Sequence, residues 1–484
     1  MDMRKPKLLK KEELSTLSLK NFSSLDLSQQ QLSYEDLLHT AKILTDRINI
    51  NSKNSSMPPS SDFFDKDQED SNTNTDTQHE QDNNATKNKQ SKQHNRADAR
   101  KPRNQGFGRT QKLPINEVIN LKPNCCSGCK ASFDDSAISK AFGGYYQIDL
   151  IKESLGYHVI NNLYITHQTY CPACDVWTKY QPNQYVSKDG YIIKDNGLVG
   201  STLASVLSVL NKRYRLPVGH IKSLISDLWS LEVGAGTINQ AIISSALCCE
   251  PLVDEIAKEV IKSDLCHMDE TGWYIHHKST WLWACVTVSA CLFMIGSRTK
   301  EMAQMMLTDR FNGWLMSDGY AAYRHYDKRF RCLAHLYRKA RSLAQSTDRE
   351  NKRFGDLTMN LLQSIMSRIK QARINNEFSI ISDFRYRLFI FKAHCLKYRK
   401  SQSAKAQALA KEFLNDWDAI FRILSYPEYP MTNNEAERAL RHWVIVRRIS
   451  LGSQSQLGAE ATALLASVIE TDVPPQFGTV SPPE

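Results

Sequence analysis

The chain has 484 residues and a mass of 55.2 kDa, too long for one ordinary core, so about two to four domains are expected. Hydrophobic residues make up 41% and charged residues 24%, and no apolar run reaches the roughly 18 to 20 residues of a membrane span, which argues against membrane insertion. A net charge of +10 with a pI of about 8.9 is a mild basic bias that does not by itself name a nucleic-acid partner. The first twenty residues are charged throughout and lack the apolar core of a signal peptide, which predicts a cytosolic chain. In that reducing compartment the twelve cysteines are read as metal ligands before disulfides.

Along the chain, Leu37, Ala41, Leu44 and Ile48 form a short heptad-like stripe, either a brief coiled coil or one amphipathic helix packed in cis. Residues 51–112 are polar and nearly free of aliphatic side chains, a composition that cannot bury enough surface to order itself. From Lys87 to Lys112 nine Lys or Arg residues stand against one acid, Asp98, a block able to follow a phosphate backbone. Within it Arg100, Lys101, Arg103 and Arg109 belong to the stretch RKPRNQGFGR, read as an extended arm for a minor groove or as a solvated linker.

Next come Cys126-x2-Cys129 and Cys171-x2-Cys174, two pairs that supply four thiolates for a tetrahedral structural zinc. The 41 residues between the pairs exceed the usual finger spacing, and Cys125 offers an alternative register. Four thiolates leave no open position for catalysis. Between Asn196 and Asp264 the pattern turns helical. An amphipathic helix, a turn at Gly234-Ala235-Gly236 and a second helix capped by Thr237 fit a helix-turn-helix DNA reader, with two ordinary core helices as the other reading.

The stretch DLCHMDETGWY predicts a strand that ends at Asp269 and Glu270, followed by a β-hairpin made from WLWACVTVS and CLFMIGS. FNGWLMSDGYAAY repeats the pattern with an acid at Asp318, 49 positions after Asp269, room for the hairpin and one crossover. In PMTNNEAERALRHW a helix capped by Thr432, Asn433 or Asn434 carries Glu437 near its start, with Arg441 on the same face and Arg438 elsewhere. Taken singly, such acids are also turn formers or partners in solvated pairs. Together, three hard oxygen ligands suit two magnesium ions roughly 3.5 to 4 Å apart, the arrangement for in-line displacement at phosphorus.

The motifs HMDETGW, MSDGYAAY, CLAHLYRKA and NNEAERALR, in this order after the paired CxxC motifs and NSSMPPSSD, resemble the transposases of the insertion sequence 66 family, over roughly 31–471. The resemblance implies a ribonuclease-H-like α/β core with an Asp-Asp-Glu triad, carried over as Asp269, Asp318 and Glu437. Glu270 is then the neighbour, and Glu435 the competing third acid. It also implies two catalytic Mg2+ or Mn2+ ions, the element's inverted repeats and target DNA as partners, an oligomer, and accessory proteins from the same element. His335 and Arg338, in the Cys-x-x-His element after the second acid, are expected to contact DNA, as are Arg438 and Arg441; Cys332 with His335 as zinc ligands is the lesser alternative, a core histidine the greater.

The expected architecture is multidomain α+β: an N-terminal helix (1–50), a basic linker (51–112), a zinc module (113–180) and a helical DNA-binding region (181–262). A ribonuclease-H-like core follows in two parts (263–345 and 426–471), split by an α-helical insertion (346–425). The proline-rich end (472–484) departs from the family, whose members continue into a further helical segment. That departure motivates the alternative of a truncated, non-catalytic DNA-binding remnant that represses movement.

Overall fold

The computed structural model describes Gln29, four residues between Asp36 and Thr40, 113–154 and 156–471. The basic segment with Arg100, Lys101, Arg103 and Arg109, most of the N-terminal stripe and the proline-rich end lie outside these residues. Two compact units divide at Cys248 and Cys249, and no helix among the described residues is long and apolar enough to cross a membrane.

In the unit before Cys249, β1 (Glu117–Leu121), β2 (Ser139–Glu153), β3 (Gly156–Cys171) and β4 (Val176–Lys179) form one sheet. β2 and β3 are a long antiparallel hairpin, β1 joins β3 in parallel, and β4 pairs back on β3. β5 (Gln184–Val186) and β6 (Ile192–Lys194) make a separate two-stranded ribbon, so the segment after residue 180 opens with strands where a helical region was expected. Helices α1 (Ser201–Lys212), α2 (Val218–Trp229) and α3 (Ala235–Cys248) follow. Asp149 of β2 caps α1 from outside, its Oδ1 accepting from the Leu203 N–H at 2.7 Å, which satisfies an otherwise orphaned donor. α2 ends where Ser230 turns left-handed at φ 52°. α3 begins at Ala235, so Ala235 and Gly236 are helical and Thr237 sits inside the first turn instead of capping it. The helix formed one turn earlier than the glycines suggest because Ile238, Ile242, Ala246 and Leu247 are buried along it, and burial outweighs glycine's helix penalty of about 1 kcal/mol.

The unit from Cys249 is built on a five-stranded sheet: β7 (Leu265–Ile275), β8 (Lys278–Val286), β9 (Cys291–Gly296), β10 (Trp314–Ser317) and β11 (Arg329–Arg331). The order is β11-β10-β7-β8-β9; β10 runs parallel to β7 and β11, while β8 and β9 are antiparallel. Both faces are covered, and the two-residue strand period is visible in the packing. Trp283 and Cys285 of β8 pack with α4 (Glu250–Lys262) and α5 (Lys300–Leu307). Leu282, Ala284 and Val286 point the other way, toward α11 (Asn434–Ser450) and α12 (Gln456–Glu470). Leu282 and Val286, withdrawn from water, each contribute roughly 1.5–3 kcal/mol.

Between β11 and α11 lies a helical block: α6 (Leu333–Ala344), α7 (Arg349–Ile374), α8 (Ile381–Tyr398), α9 (Ala404–Asn415) and the short α10 (Trp417–Phe421). Its core is continuous with Met316 of β10 and Phe330 of β11. Asp348 caps α7 by accepting from the Asn351 N–H. At Gly355 α7 comes so close to α6 that a Cβ would meet the backbone of Ala344 and Ala340.

Candidate active site and thiol cluster

Cys126, Cys129, Cys171 and Cys174 converge, with all four sulfurs within 4.8 Å of one another. The first pair lies in the turn after β1; Cys171 ends β3 and Cys174 lies in the β3–β4 turn. Cys126 Sγ is 3.3 Å from Cys174 Sγ, and Cys129 Sγ is 3.5 Å from Cys171 Sγ. Cys125 is exposed and outside the cluster. A backbone hydrogen bond from Cys129 heads the influences that draw the Cys126 thiol down to about 6, while its bond to Cys126 pushes Cys174 up to about 12. Four thiols so close resist ionising together, and a divalent cation removes that repulsion, so the donor set fits structural zinc.

Asp269 does not end its strand. β7 runs six residues further because β8 pairs with it as far as Ile275. What ends near Asp269 is the neighbour on the other side: parallel pairing with β10 stops at His267 and Met316, and Asp318 follows Ser317 directly. The two aspartates are therefore set where two adjacent parallel strands part. Strand alternation separates Asp269 from Glu270. Asp269 shares the parity of Trp273, which packs under α11, and Glu270 shares that of Met268, which packs with α4 and α5.

Glu437 comes from the first turn of α11. Asn433, fully buried, precedes that helix without capping it through its side chain. Its amide instead reaches β7: Nδ2 donates to the Met268 carbonyl at 2.8 Å, and Oδ1 lies 3.2 Å from His267 Nδ1. Its backbone N–H donates to Cys332 Sγ at 3.3 Å. One asparagine thus ties the strand of Asp269, the start of α6 and the helix of Glu437 together.

Burial raises the Asp269 carboxyl well above the usual range, and Asp318, Glu270 and Glu437 all push the same way. Burial also raises Glu437, against the pull of Arg338 and Arg441. The three acids therefore lie within electrostatic reach of one another. Excess negative charge of this kind, on hard oxygen donors, fits divalent magnesium or manganese. Glu435 is more exposed than Glu437, 52% against 30%, and pairs with Arg438 at 3.5 Å.

Arg338 Nη2 is 3.4 Å from Glu437 Oε1, and His335 Nδ1 is 3.5 Å from the same oxygen and 3.2 Å from Cys332 Sγ. Burial, then Arg338 and Lys339, push the imidazole down to about 3, so it is neutral and its contact with Glu437 is not an ion pair. Cys332, His335 and Glu437 are close enough to hold a metal, but the Arg338 guanidinium already supplies the positive charge between His335 and Glu437.

Sequence reading offered Asn433 only as a candidate cap, did not single out His267, and missed the partners of Glu270. That carboxylate is buried at 1% exposure, paired with Arg298 at 2.8 Å and accepting from the Tyr323 hydroxyl at 2.5 Å. The signal was present in SDGYAAY, whose Tyr320 and Tyr323 both face this pair.

No curated protein matches the chain. A family model described as Transposase IS66 family matches residues 196–461, more than half of the 484 residues, and covers all three acids and the helical block between them. The chain belongs to the IS66 family of transposases.

Proposed function

We propose that this transposase cuts DNA at the inverted-repeat ends of its element and joins the freed 3′ hydroxyl to target DNA, using Asp269, Asp318 and Glu437. The observation that carries this reading is the convergence of three mutually repelling carboxylates from β7, the end of β10 and the first turn of α11. The sheet order supports a ribonuclease-H-like core: three antiparallel strands, β7 to β9, then two strands added in parallel beside the first. The helical block from α7 to α10 is then the insertion in that core.

Asp269, Asp318 and Glu437 would hold two magnesium or manganese ions, which supply activation of a water or hydroxyl and neutralisation of charge at phosphorus. The chain's own groups do the rest. Asn433 fixes the strand of Asp269 against the helix of Glu437. Tyr320 N–H donates to Asp318 Oδ1 at 2.8 Å and orients it. Arg338 holds the Glu437 carboxylate, and with Arg441 offers positive charge to phosphate beside it. Cys126, Cys129, Cys171 and Cys174 would hold a structural zinc. α2 and α3 are the reading pair for the element end. α3 carries no Lys or Arg and exposes Asn239 and Gln240, side chains suited to base edges, so phosphate contacts fall to other segments, among them Arg100, Lys101, Arg103 and Arg109. Assembly as an oligomer with accessory proteins of the element belongs to the same proposal.

The test compares Glu437→Gln with Glu435→Gln on a labelled inverted-repeat end with Mg2+ or Mn2+. We expect E437Q to lose nicking by about 10²-fold or more and E435Q to stay near wild type. The reverse ranking overturns the assignment of the third acid.

A further inference from the structure

We infer that Arg298 is a DNA-phosphate-binding residue on the flank of the acids opposite to Arg338. The inference rests on the reading of DNA as the substrate of this site. Arg298 follows β9, and its guanidinium is held from three sides. Nε and Nη2 both reach Glu270 Oε1, at 2.9 and 2.8 Å. The ring centroid of Trp281 lies 4.4 Å from Cζ on one hand and that of Tyr320 4.1 Å on the other. The Tyr320 hydroxyl also donates to the Arg298 carbonyl at 2.6 Å, fixing the backbone under the side chain.

Despite these restraints the side chain is 38% exposed, whereas its partner Glu270 is 1% exposed. Nη1 makes no hydrogen bond to the described residues. A salt bridge that served only to neutralise Glu270 needs neither an open edge nor two aromatic faces. A planar guanidinium already ordered by stacking, on a side chain 38% exposed and with Nη1 unbonded to the described residues, matches a phosphate at little further cost in side-chain entropy.

Its position is as informative as its restraint. Glu270 adjoins Asp269, Tyr320 is two residues from Asp318, and Asp318 lies within electrostatic reach of both Glu270 and Arg298. Glu270 faces away from α11, so Arg298 stands across β7 from Arg338 and Glu437. The acids are bracketed by a guanidinium on each flank, an arrangement that holds a strand across them by its backbone.

The experiment measures binding of the full chain to an inverted-repeat duplex and to a random duplex of equal length, across a salt series, for wild type, R298M, E270Q and the double variant E270Q/R298M. We expect R298M to weaken binding to both duplexes by about tenfold and to lower the slope of log affinity against log salt by about one. E270Q keeps the guanidinium and should keep the wild-type slope. The double variant differs from E270Q only at position 298, so the loss of slope between them reads the contact even where R298M alone folds poorly. A double variant that binds with the slope of E270Q overturns the inference and leaves Arg298 a counter-ion. A wild type that binds neither duplex overturns the DNA reading itself, and this assignment with it.

Discussion

Asp269 concentrates the electrostatic tension of the site. Its carboxyl is raised by burial and by three neighbouring acids, so in metal-free protein the folded state holds a proton that the unfolded state releases near pH 4. As pH rises above that value the unfolded chain ionises first, and stability falls toward neutrality. Divalent cations held by the three acids would reverse the sign of the local field. Melting temperature measured against pH should therefore decline from about pH 4 to 7 without metal, and Mg2+ or Mn2+ should recover most of the loss at pH 7. A metal-independent profile, or Asp269→Asn without effect on it, contradicts the clustering of charge on Asp269.

At the scale of elements, the helical block is bound to the core through buried charge. Asp416, at the junction of α9 and α10, accepts from Arg324 and Arg329 and pairs with Arg331. Glu412 of α9 takes Arg331 and Lys339 at 2.6 and 2.8 Å. Burial alone would push the Asp416 carboxyl up, yet Arg331 and Arg329 hold it below the usual range. Asp416→Ala would strand the buried Arg329 guanidinium and leave Arg331 to Glu412 alone, and should cost about 3–5 kcal/mol, read from chemical denaturation. A loss under about 1 kcal/mol, as for a surface pair, contradicts that account. None of this network was legible beforehand, because Arg329 and Asp416 are 87 positions apart and neither stands in a motif. Local patterns were legible. The hairpin of β8 and β9 and the strand before Asp318 followed from alternation, and the start of the Glu437 helix from its run of polar residues, although the Asn433 side chain turns to β7 instead of capping it. The end of β7 did not, because strand length is set by pairing with β8, and Thr271-Gly272 carries no sign of it. The Thr237 cap failed likewise, since the burial of α3 is a tertiary fact.

Across the whole molecule, the chain is organised as two compact units, one holding the four-thiol cluster and the other the three carboxylates. The thiol cluster pins the ends of the β2–β3 sheet, whereas the carboxylates occupy a packed sheet with cover on both faces. The described residues from 113 to 180 bury few apolar side chains, Ile148 and Leu150 foremost, so a metal held by the thiol cluster would supply much of that region's order. We expect one zinc per chain to survive dialysis. Its removal by a thiol-directed mercurial should raise hydrogen exchange in β2 and β3 while the β7–β9 strands stay protected. Absence of zinc, or uniform loosening of both units, contradicts this division.

The measurement that bears most directly on the central claim is strand joining. Purified protein is incubated with a labelled inverted-repeat end, target DNA and Mg2+ or Mn2+, beside Asp318→Asn. Metal-dependent nicks and joined products are expected from the wild type, both lost in D318N while binding to the end persists. Binding by both proteins with no cutting by either would contradict it and return the reading to a DNA-binding remnant.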